Sequence, residues 1–238
     1  MKLQIGCCGF PKAREEYYRH FALVELQQTF YKPPQVETAR RWRQTAPAGF
    51  EFSLKVWQLI THESTSPTYR KAKLKIPAHQ QERYGAFRPT GEVFRAWEQT
   101  KEIALALGSR IVVFQCPASF TPTEEHKANL RTFFKDAKRD GLAFVWEPRG
   151  EWTDREIQEL CADLDLVHGV DPFVRRPVHG PFAYFRLHGI GGYRYRYTQE
   201  DLSRLARWCQ EHGEVYCLFN NTNMFEDAQR FKMLLCPP

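Results

Sequence analysis

Several features of membrane and secreted proteins are missing from this sequence. No apolar run approaches the roughly 18 residues that a membrane-spanning helix needs. The N-terminal stretch MKLQIGCCGF is typical of a strand and lacks the long apolar core of a secretion signal. There is also no Gly/Ser-rich linker and no internal repeat. These absences predict a cytoplasmic protein without a membrane partner, folded as a single domain over residues 1–238.

The cysteines lack the spacing of redox or metal-binding motifs. The chain contains 7 cysteines, an odd number, and none of them forms a CxxC pair. We therefore expect reduced and mostly buried thiols. Cys7 and Cys8 are adjacent, so on a strand they would point to opposite faces, which argues against their joint ligation of a metal.

Familiar catalytic and cofactor motifs are absent as well. The chain has no nucleophile elbow, P-loop, Rossmann fingerprint, HxH or HExxH spacing, so no organic cofactor is predicted. It does have 42% hydrophobic and 14% aromatic residues, which suits a substantial core, and a formal net charge of +6. This charge favours anionic partners such as phosphate esters or nucleic acid.

Short apolar runs alternate with helix-like stretches along the whole chain. The runs are rich in β-branched or aromatic residues and cover residues 3–9, 23–30, 50–56, 110–116, 142–148, 166–172, 182–189 and 215–221. Helices are predicted between them over residues 35–45, 90–107, 122–139, 153–164, 198–212 and 222–235. Eight parallel strands with helical crossovers predict a closed (β/α)₈ TIM barrel. An open doubly wound sheet is the alternative.

One connection is much longer than the others. Residues 57–89 follow the third run and form a long basic insertion, with Arg70, Lys71, Lys73 and Lys75 close together. Long connections inside compact domains are uncommon and often functional. This segment is either a basic lid over the mouth of the barrel or a passive surface excursion.

Polar side chains stand at the ends of the apolar runs. Because side chains alternate along a strand, Tyr184, Arg186 and His188 share one face of the seventh run. Other runs end in Glu25, Gln27 and Thr29, in Ser53 and Lys55, in Gln115, in Glu147, in Asp171, and in Asn220 and Asn221. In a TIM barrel these ends converge on one mouth, where barrel enzymes have their active sites. The set therefore predicts a ligand site there.

The loop after the seventh run favours an anion. Gly189, Gly191 and Gly192 would let backbone N–H groups approach a phosphate, and TIM barrels often bind phosphate after strands seven and eight. Cations from Arg186, Arg194 and Arg196, and amides from Asn220 and Asn221, would add to this site. In the alternative interpretation, Tyr193, Tyr195 and Tyr197 simply pack this loop on the barrel rim.

Two kinds of acid–base chemistry fit these residue types. Glu25 and Glu147 could act as paired carboxylates whose pKa values are tuned by Lys55 or Arg149. Alternatively, His188 could act as a general acid or base, because histidine side chains exchange protons near neutral pH. A metal site is the alternative. Glu25, Glu147, Asp171 and His188 would form a hard oxygen and nitrogen set suited to Mg²⁺, Mn²⁺ or Zn²⁺.

Six segments together resemble the YecE-like family, known as domain of unknown function 72. They are VELQQTFYKPP, FEFSLKVWQLITH, FQCPASF, VWEPRGEW, YFRLHG and LFNNTNMFEDA. The resemblance implies a TIM barrel but no established reaction, and the likeness of members to endonuclease IV-like barrels implies DNA or phosphate ligands. It gives functional weight to Glu25, Phe30, Tyr31, Lys55, Thr61, His62, Glu147, Arg149, Trp152, Arg186, His188, Gly189, Tyr195, Tyr197, Asn220 and Asn221. The chain departs from the family pattern in a shorter first loop and in Gln27, where Asn is common.

We therefore predict an enzyme that acts on a nucleotide, sugar phosphate or nucleic acid by hydrolytic acid–base chemistry. The predicted catalytic residues are Glu25, Lys55, Glu147 and His188. The predicted substrate contacts are Phe30, Tyr31, His62, Gln115, Arg149, Asp171, Arg186, Gly189, Gly191, Gly192, Tyr195, Tyr197, Asn220 and Asn221, with the aromatic rings stacking on a base or sugar. A non-catalytic nucleic-acid-binding protein and a metal-dependent hydrolase or sugar isomerase are the alternatives. The sequence leaves the oligomeric state open.

Overall fold

Eight parallel strands close into a barrel in the computed structural model, which describes residues 1–235. Each strand pairs with its neighbour in chain order, and β1 closes the ring against β8, with Cys7 in register with Phe219. The strands are β1 Lys2–Cys8, β2 Leu23–Leu26, β3 Glu51–Lys55, β4 Ile111–Gln115, β5 Ala143–Glu147, β6 Val167–Val170, β7 Ala183–Leu187 and β8 Glu214–Phe219. The predicted TIM barrel is confirmed, and the alternative of an open sheet is wrong.

Ten α-helices accompany the strands in the described part of the chain. They are α1 Arg14–His20, α2 Gln28–Tyr31, α3 Val36–Thr45, α4 Gln58–Thr61, α5 Pro67–Lys71, α6 Gly91–Ala106, α7 Glu124–Asp136, α8 Asp154–Leu164, α9 Gln199–Gln210 and α10 Met224–Leu235. All six predicted helices are present. Threonine side chains cap four of them, at Thr90, Thr123, Thr153 and Thr198, by accepting a backbone N–H from the first turn.

The second apolar run is shorter as a strand than predicted. The strand stops at Leu26, and the chain turns at once into α2, so Gln27 and Thr29 are not strand residues. The Thr29 hydroxyl donates to the carbonyls of Leu26, at 3.0 Å, and Lys55, at 2.6 Å. These bonds fix the turn against the end of β3 and compete with continuation of the strand.

The interior of the barrel and its outer face have different chemistry. Val113, Val145 and Leu218 fill the interior together with Tyr184, whereas large aromatic rings such as Phe114 lie outside, between strands and helices. Towards the carboxyl ends of the strands the interior becomes polar. There the buried side chains of Glu25, Lys55, Glu147 and Arg186 form a polar layer, as the convergence of strand ends predicted.

The 57–89 insertion is folded against the mouth. It contains α4, α5 and a 3₁₀ helix over Ala78–Arg83, and the buried Tyr69 hydroxyl donates to the His62 carbonyl at 2.9 Å. The chain returns across His62 at Gly85, where φ is +77° and a Cβ atom would lie 2.2 Å from that carbonyl oxygen. Glycine is therefore required at this crossing.

Six cysteines in the described residues are buried free thiols, as predicted, and Cys236 lies outside that range. Among the helices that the structure describes, none combines the length and apolar character that crossing a membrane demands.

Candidate functional site

Arg186 lies at the centre of the polar layer, with no solvent-exposed surface. Its Nε and Nη2 atoms donate to the two carboxylate oxygens of Glu25 at 2.9 and 2.7 Å. Its Nη1 atom donates to Gln115 at 3.0 Å and to Glu147. Tyr184 donates to Glu25 at 2.9 Å from below. The guanidinium thus joins side chains from β2, β4 and β5 to its own strand, β7.

A second chain of contacts continues from Glu147 towards the surface. Arg149 donates to Glu147 through Nε at 2.9 Å, and its Nη2 atom donates to His188 Nε2. The backbone N–H of His188 donates to Asp171 at 2.8 Å, and its Nδ1 lies 3.5 Å from the same carboxylate oxygen. Because Nε2 accepts from Arg149, we assign the imidazole proton to Nδ1.

These contacts determine the charge of Glu147. Burial raises the pKa of this carboxyl group, but the nearby Arg186 and Arg149 guanidinium groups outweigh that effect and lower the pKa to about 2. Glu147 is therefore an ionised acceptor at neutral pH. A general acid must be protonated before it reacts, so Glu147 cannot supply the predicted acid in this state.

A pocket of about 430 Å³ opens at the mouth above this network. It is lined by Gln27, Phe30, Tyr31, Lys55, His62, Thr68, Lys71, Gln115, Tyr193 and Asn220. The lining contains two lysines and no carboxylate. At the rim, Lys71 donates to the Tyr31 hydroxyl at 3.4 Å. The pocket therefore favours a negatively charged ligand.

The pKa of Lys55 is strongly altered by this surrounding. Its Nζ lies 3.6 Å from the centroid of the Phe30 ring, and the residue is only 6% exposed. Burial and the positive charge of Arg186 lower the pKa of Lys55 to about 7. The amine therefore exchanges a proton near physiological pH, which is the range in which a catalytic acid or base is effective.

His62 faces the same pocket as a neutral imidazole. Burial and the charge of Lys55 lower the pKa of His62 to about 3. Its Nδ1 is hydrogen-bonded to the Thr61 hydroxyl at 2.8 Å, and its ring packs edge-on against Phe30 with centroids 4.8 Å apart. His62 can therefore exchange hydrogen bonds with a ligand without adding charge.

A second cavity of about 430 Å³ lies over the ends of β5, β6 and β7. Its lining includes the predicted Glu147, Arg149, Asp171, His188 and Gly189. Sequence reasoning missed two other residues of this lining. His168 and Arg175 follow no strand-end pattern, and no signal in the sequence identified them.

Several residues predicted to contact the substrate instead form hydrogen bonds within the protein or are buried. The Gly189 N–H donates to the Tyr197 hydroxyl at 2.8 Å and the Gly192 N–H to the Gly189 carbonyl at 3.3 Å, so neither amide is presented to an anion. The Tyr195 hydroxyl donates to Asp201 at 2.6 Å. Tyr197 is buried in the core, so it offers no free face for stacking.

Two further predicted roles are wrong in this geometry. Asn221 is buried, and its amide donates to the Tyr195 carbonyl and to Asp227, so it supports the loop and does not face the mouth. Arg186 was predicted to hold an anion, but it has no exposed surface and its guanidinium contacts carboxylates. Gly191, on the exposed part of the loop, lines neither mouth cavity.

The predicted metal ligands do not form a metal site. The Arg186 guanidinium occupies the space between Glu25 and Glu147, and Asp171 accepts the backbone N–H groups of Phe173 and His188. Across residues 1–235 no group of three or more His, Cys, Asp or Glu side chains is arranged to hold a metal ion. The donor set therefore does not fit the metal-dependent alternative.

Sequence reasoning also missed part of the mouth pocket. Thr68 and Lys71 come from α5 in the basic insertion, and Tyr193 comes from the glycine-rich loop. The basic cluster and the repeated tyrosines were visible signals, but neither indicated which member would face the pocket.

Comparisons with known proteins agree with the fold. Residues 10–236 match a family model described as protein of unknown function DUF72. The UPF0759 protein YunF of Bacillus subtilis (strain 168) is 23% identical over 257 residues, covering 94% of this chain and 86% of that protein. A DUF72 family protein from Enterococcus faecalis V583 superposes with a TM-score of 0.74 at 21% identity, covering 98% of this chain and 97% of that one. Endonuclease IV from Thermus thermophilus gives a TM-score of 0.53 at 15% identity, with 99% of each chain covered.

Proposed function

The chain belongs to the DUF72 family of proteins of unknown function, and from this premise we propose that it is an enzyme acting on a phosphate-bearing substrate. The substrate binds in the mouth pocket, and Lys55 exchanges the proton in catalysis. The observation that carries this proposal is a buried lysine with a pKa of about 7 in a pocket without carboxylates.

The residues of the pocket have complementary roles in this proposal. Lys71, at the rim beside Tyr31, attracts the phosphate. Gln27, Gln115 and Asn220 offer amide groups for the uncharged part of the substrate. Arg186, Glu25 and Glu147 do not touch the substrate. They form the rigid charged floor whose guanidinium depresses the pKa of Lys55.

The hydrolytic reaction class predicted from the sequence stays a prediction. It finds limited support in the fold, because endonuclease IV, named for cleavage inside a nucleic acid chain, has a similar barrel. Lys55 replaces the pair of glutamates as the acid–base group in this interpretation, since the Arg186 guanidinium occupies both carboxylates.

The test is a calorimetric titration of the protein with inorganic phosphate. We expect Lys71→Gln to weaken binding roughly tenfold, since a charge-assisted hydrogen bond contributes about 1.5–3 kcal/mol. Lys2→Gln removes the same charge at the opposite end of the barrel, where Lys2 pairs with Glu214, and should leave binding unchanged. Equal affinities in the two variants, or no binding in the native protein, would contradict the proposal.

A turnover screen tests the reaction class. We expect hydrolysis of an aryl phosphate monoester or diester by the native protein and its loss in Lys55→Gln, with Lys2→Gln active. If phosphate binds at the mouth but neither ester is cleaved, the hydrolytic prediction is wrong while the phosphate-bearing substrate stands.

A further inference from the structure

Lys55 has an unusual set of neighbours for a buried lysine. It ends β3 at the floor of the mouth pocket, and in the described residues its Nζ has neither a hydrogen-bond acceptor nor an ion-pair partner. The nearest carboxylates, Glu25 and Glu147, are occupied by Arg186. The aromatic face of Phe30 covers one side of the amine. Lys55 itself lines the pocket.

This environment suits a nucleophile better than an anchor for charge. A lysine that binds an anion is usually solvated or paired, and it remains protonated. A lysine desolvated beside another cation loses its proton, and the free electron pair can attack a carbonyl carbon. Burial and Arg186, the two main causes of the lowered pKa of Lys55, are these two conditions.

We propose that Lys55 forms an imine with the carbonyl carbon of a phosphorylated aldehyde or ketone bound in the mouth pocket. This inference rests on the phosphate-bearing substrate of the proposed function, because the phosphate binds at the same rim. It names the substrate class and gives Lys55 the role of nucleophile in place of proton exchange. The Lys55 nitrogen bonds to the carbonyl carbon and gives a carbinolamine. The carbinolamine then loses its oxygen as water, which carries away both protons of the neutral amine, and a C=N double bond remains.

The rest of the pocket matches such a substrate at both ends. The cation of Lys71 stands at the rim for the phosphate, and the amine of Lys55 lies at the floor for the carbonyl. Between them, the neutral imidazole of His62 and the amides of Gln115 and Asn220 can hydrogen-bond to hydroxyl groups, including that of the carbinolamine. A volume of about 430 Å³ lies within the range of small-molecule sites.

The experiment traps the imine by reduction. The full-length protein is incubated at pH 7 with glyceraldehyde 3-phosphate and sodium cyanoborohydride, and modified peptides are quantified by mass spectrometry. A pKa of about 7 gives Lys55 a neutral fraction roughly a thousandfold above that of an ordinary lysine. An amine of lower pKa is also a weaker nucleophile, which offsets part of this advantage. We therefore expect modification of Lys55 to be at least about tenfold faster than that of any other lysine. Inorganic phosphate should slow the modification of Lys55 alone.

Two comparisons separate this inference from the proposed function. Unphosphorylated glyceraldehyde should modify Lys55 more slowly, and Lys71→Gln should remove that difference while the native fold is checked by circular dichroism. If phosphate binds at the mouth but Lys55 is modified no faster than exposed lysines, the imine is wrong and the proposed function stands. Equal modification of Lys55 by both aldehydes, without protection by phosphate, overturns the phosphorylated substrate class and the proposed function with it.

Discussion

Lys55 is held where its charged form is unfavourable, and this has a consequence for stability. Its pKa falls from 10.5 to about 7 in the folded protein, chiefly through burial and the charge of Arg186. Between these two values the unfolded chain binds more protons than the folded one, so the stability contributed by Lys55 rises as the pH increases from about 7 to 10.5. Below pH 7 the folded state carries the full penalty, which is about 5 kcal/mol.

We therefore predict that Lys55→Met stabilises the protein at pH 6, that this gain stays nearly constant up to about pH 7, and that it then shrinks towards pH 10. Urea unfolding at a series of pH values measures it. The other charged groups around the amine are Glu25, Glu147, Arg149 and Arg186, and only those that change protonation in this interval could disturb the trend. Lys2→Met alters an exposed lysine and should give no comparable trend. A stability difference that is constant with pH would contradict the lowered pKa.

Arg186 illustrates which part of the site the sequence could predict. Period-two alternation correctly put Arg186 on the same face of its strand as Tyr184, and the ends of seven strands correctly indicated a polar mouth. The depth of each side chain along the barrel axis could not be predicted from the sequence. It depends on register, which aligns Glu25 with Ser53 and Arg186 with Leu218, and register follows from packing between strands distant in sequence. Roles assigned from strand ends alone therefore confused the floor of the site with its surface.

At the scale of elements, the turn from β2 into α2 connects the barrel to the pocket. The Thr29 hydroxyl bonds to the last carbonyl of β2 and to the Lys55 carbonyl. It therefore holds Phe30, the next residue, beside the Lys55 amine. Composition alone made residues 23–30 resemble one strand, because Thr and Phe are common in strands and the hydroxyl bond to the Lys55 carbonyl is tertiary.

Thr29→Val should test this connection, because valine keeps the shape and removes the hydroxyl. We expect a loss of about 1–3 kcal/mol in the free energy of unfolding, since the Lys55 carbonyl loses a buried partner. Thr29→Ser keeps the hydroxyl and should cost clearly less. The Val variant should also slow reductive modification of Lys55 if Phe30 shifts. Equal stabilities of the two variants would mean that the bonds to Leu26 and Lys55 do not fix the turn.

The residue types of the loop after β7 were not sufficient to predict its role. Its glycines and tyrosines matched two interpretations, an anion cradle and a packed rim. The packed rim is observed for Tyr195 and Tyr197, whereas Tyr193 is exposed and lines the mouth pocket. Gly189 donates to Tyr197, and Tyr195 donates to Asp201 at the start of α9. Both interpretations need the same residue types. Only the positions of α9 and α10, which are tertiary, decide between them.

At the scale of the whole molecule, alternation of strands and helices was sufficient to predict the barrel. Eight strands and all six predicted helices are present, since four of these helices begin at a capping threonine and each strand has its own apolar run. The short helices α1, α2, α4 and α5 were not predicted. They have four to seven residues, too few for helical periodicity to appear in the sequence, and packing holds them in place.

The distribution of positive charge separates the remaining functional alternatives. Besides the mouth pocket, a cleft of about 590 Å³ is lined by Arg70, Lys73 and Lys75 of the basic insertion, and its lining contains no carboxylate. A nucleic acid would cover this cleft as well as the mouth, whereas the only lysines that a small phosphorylated substrate would contact are Lys55 and Lys71 of the mouth pocket. For single-stranded nucleic acid, the logarithm of the affinity falls as the logarithm of the salt concentration rises. The slope is about −0.7 for each phosphate that the protein neutralises.

We expect the small-substrate behaviour. Phosphate affinity should decrease only weakly between low and physiological salt, and exchanging Arg70, Lys73 and Lys75 for Gln together should leave it nearly unchanged. A short single-stranded oligonucleotide should bind more weakly than a phosphorylated aldehyde at physiological salt, measured by fluorescence anisotropy. A steep salt slope for the oligonucleotide, flattened in the triple variant, would instead identify a nucleic-acid surface that extends from the mouth along the insertion. In that case catalysis and binding would have to be separated by the Lys55→Gln variant, because the amine contributes to the mouth and not to the cleft.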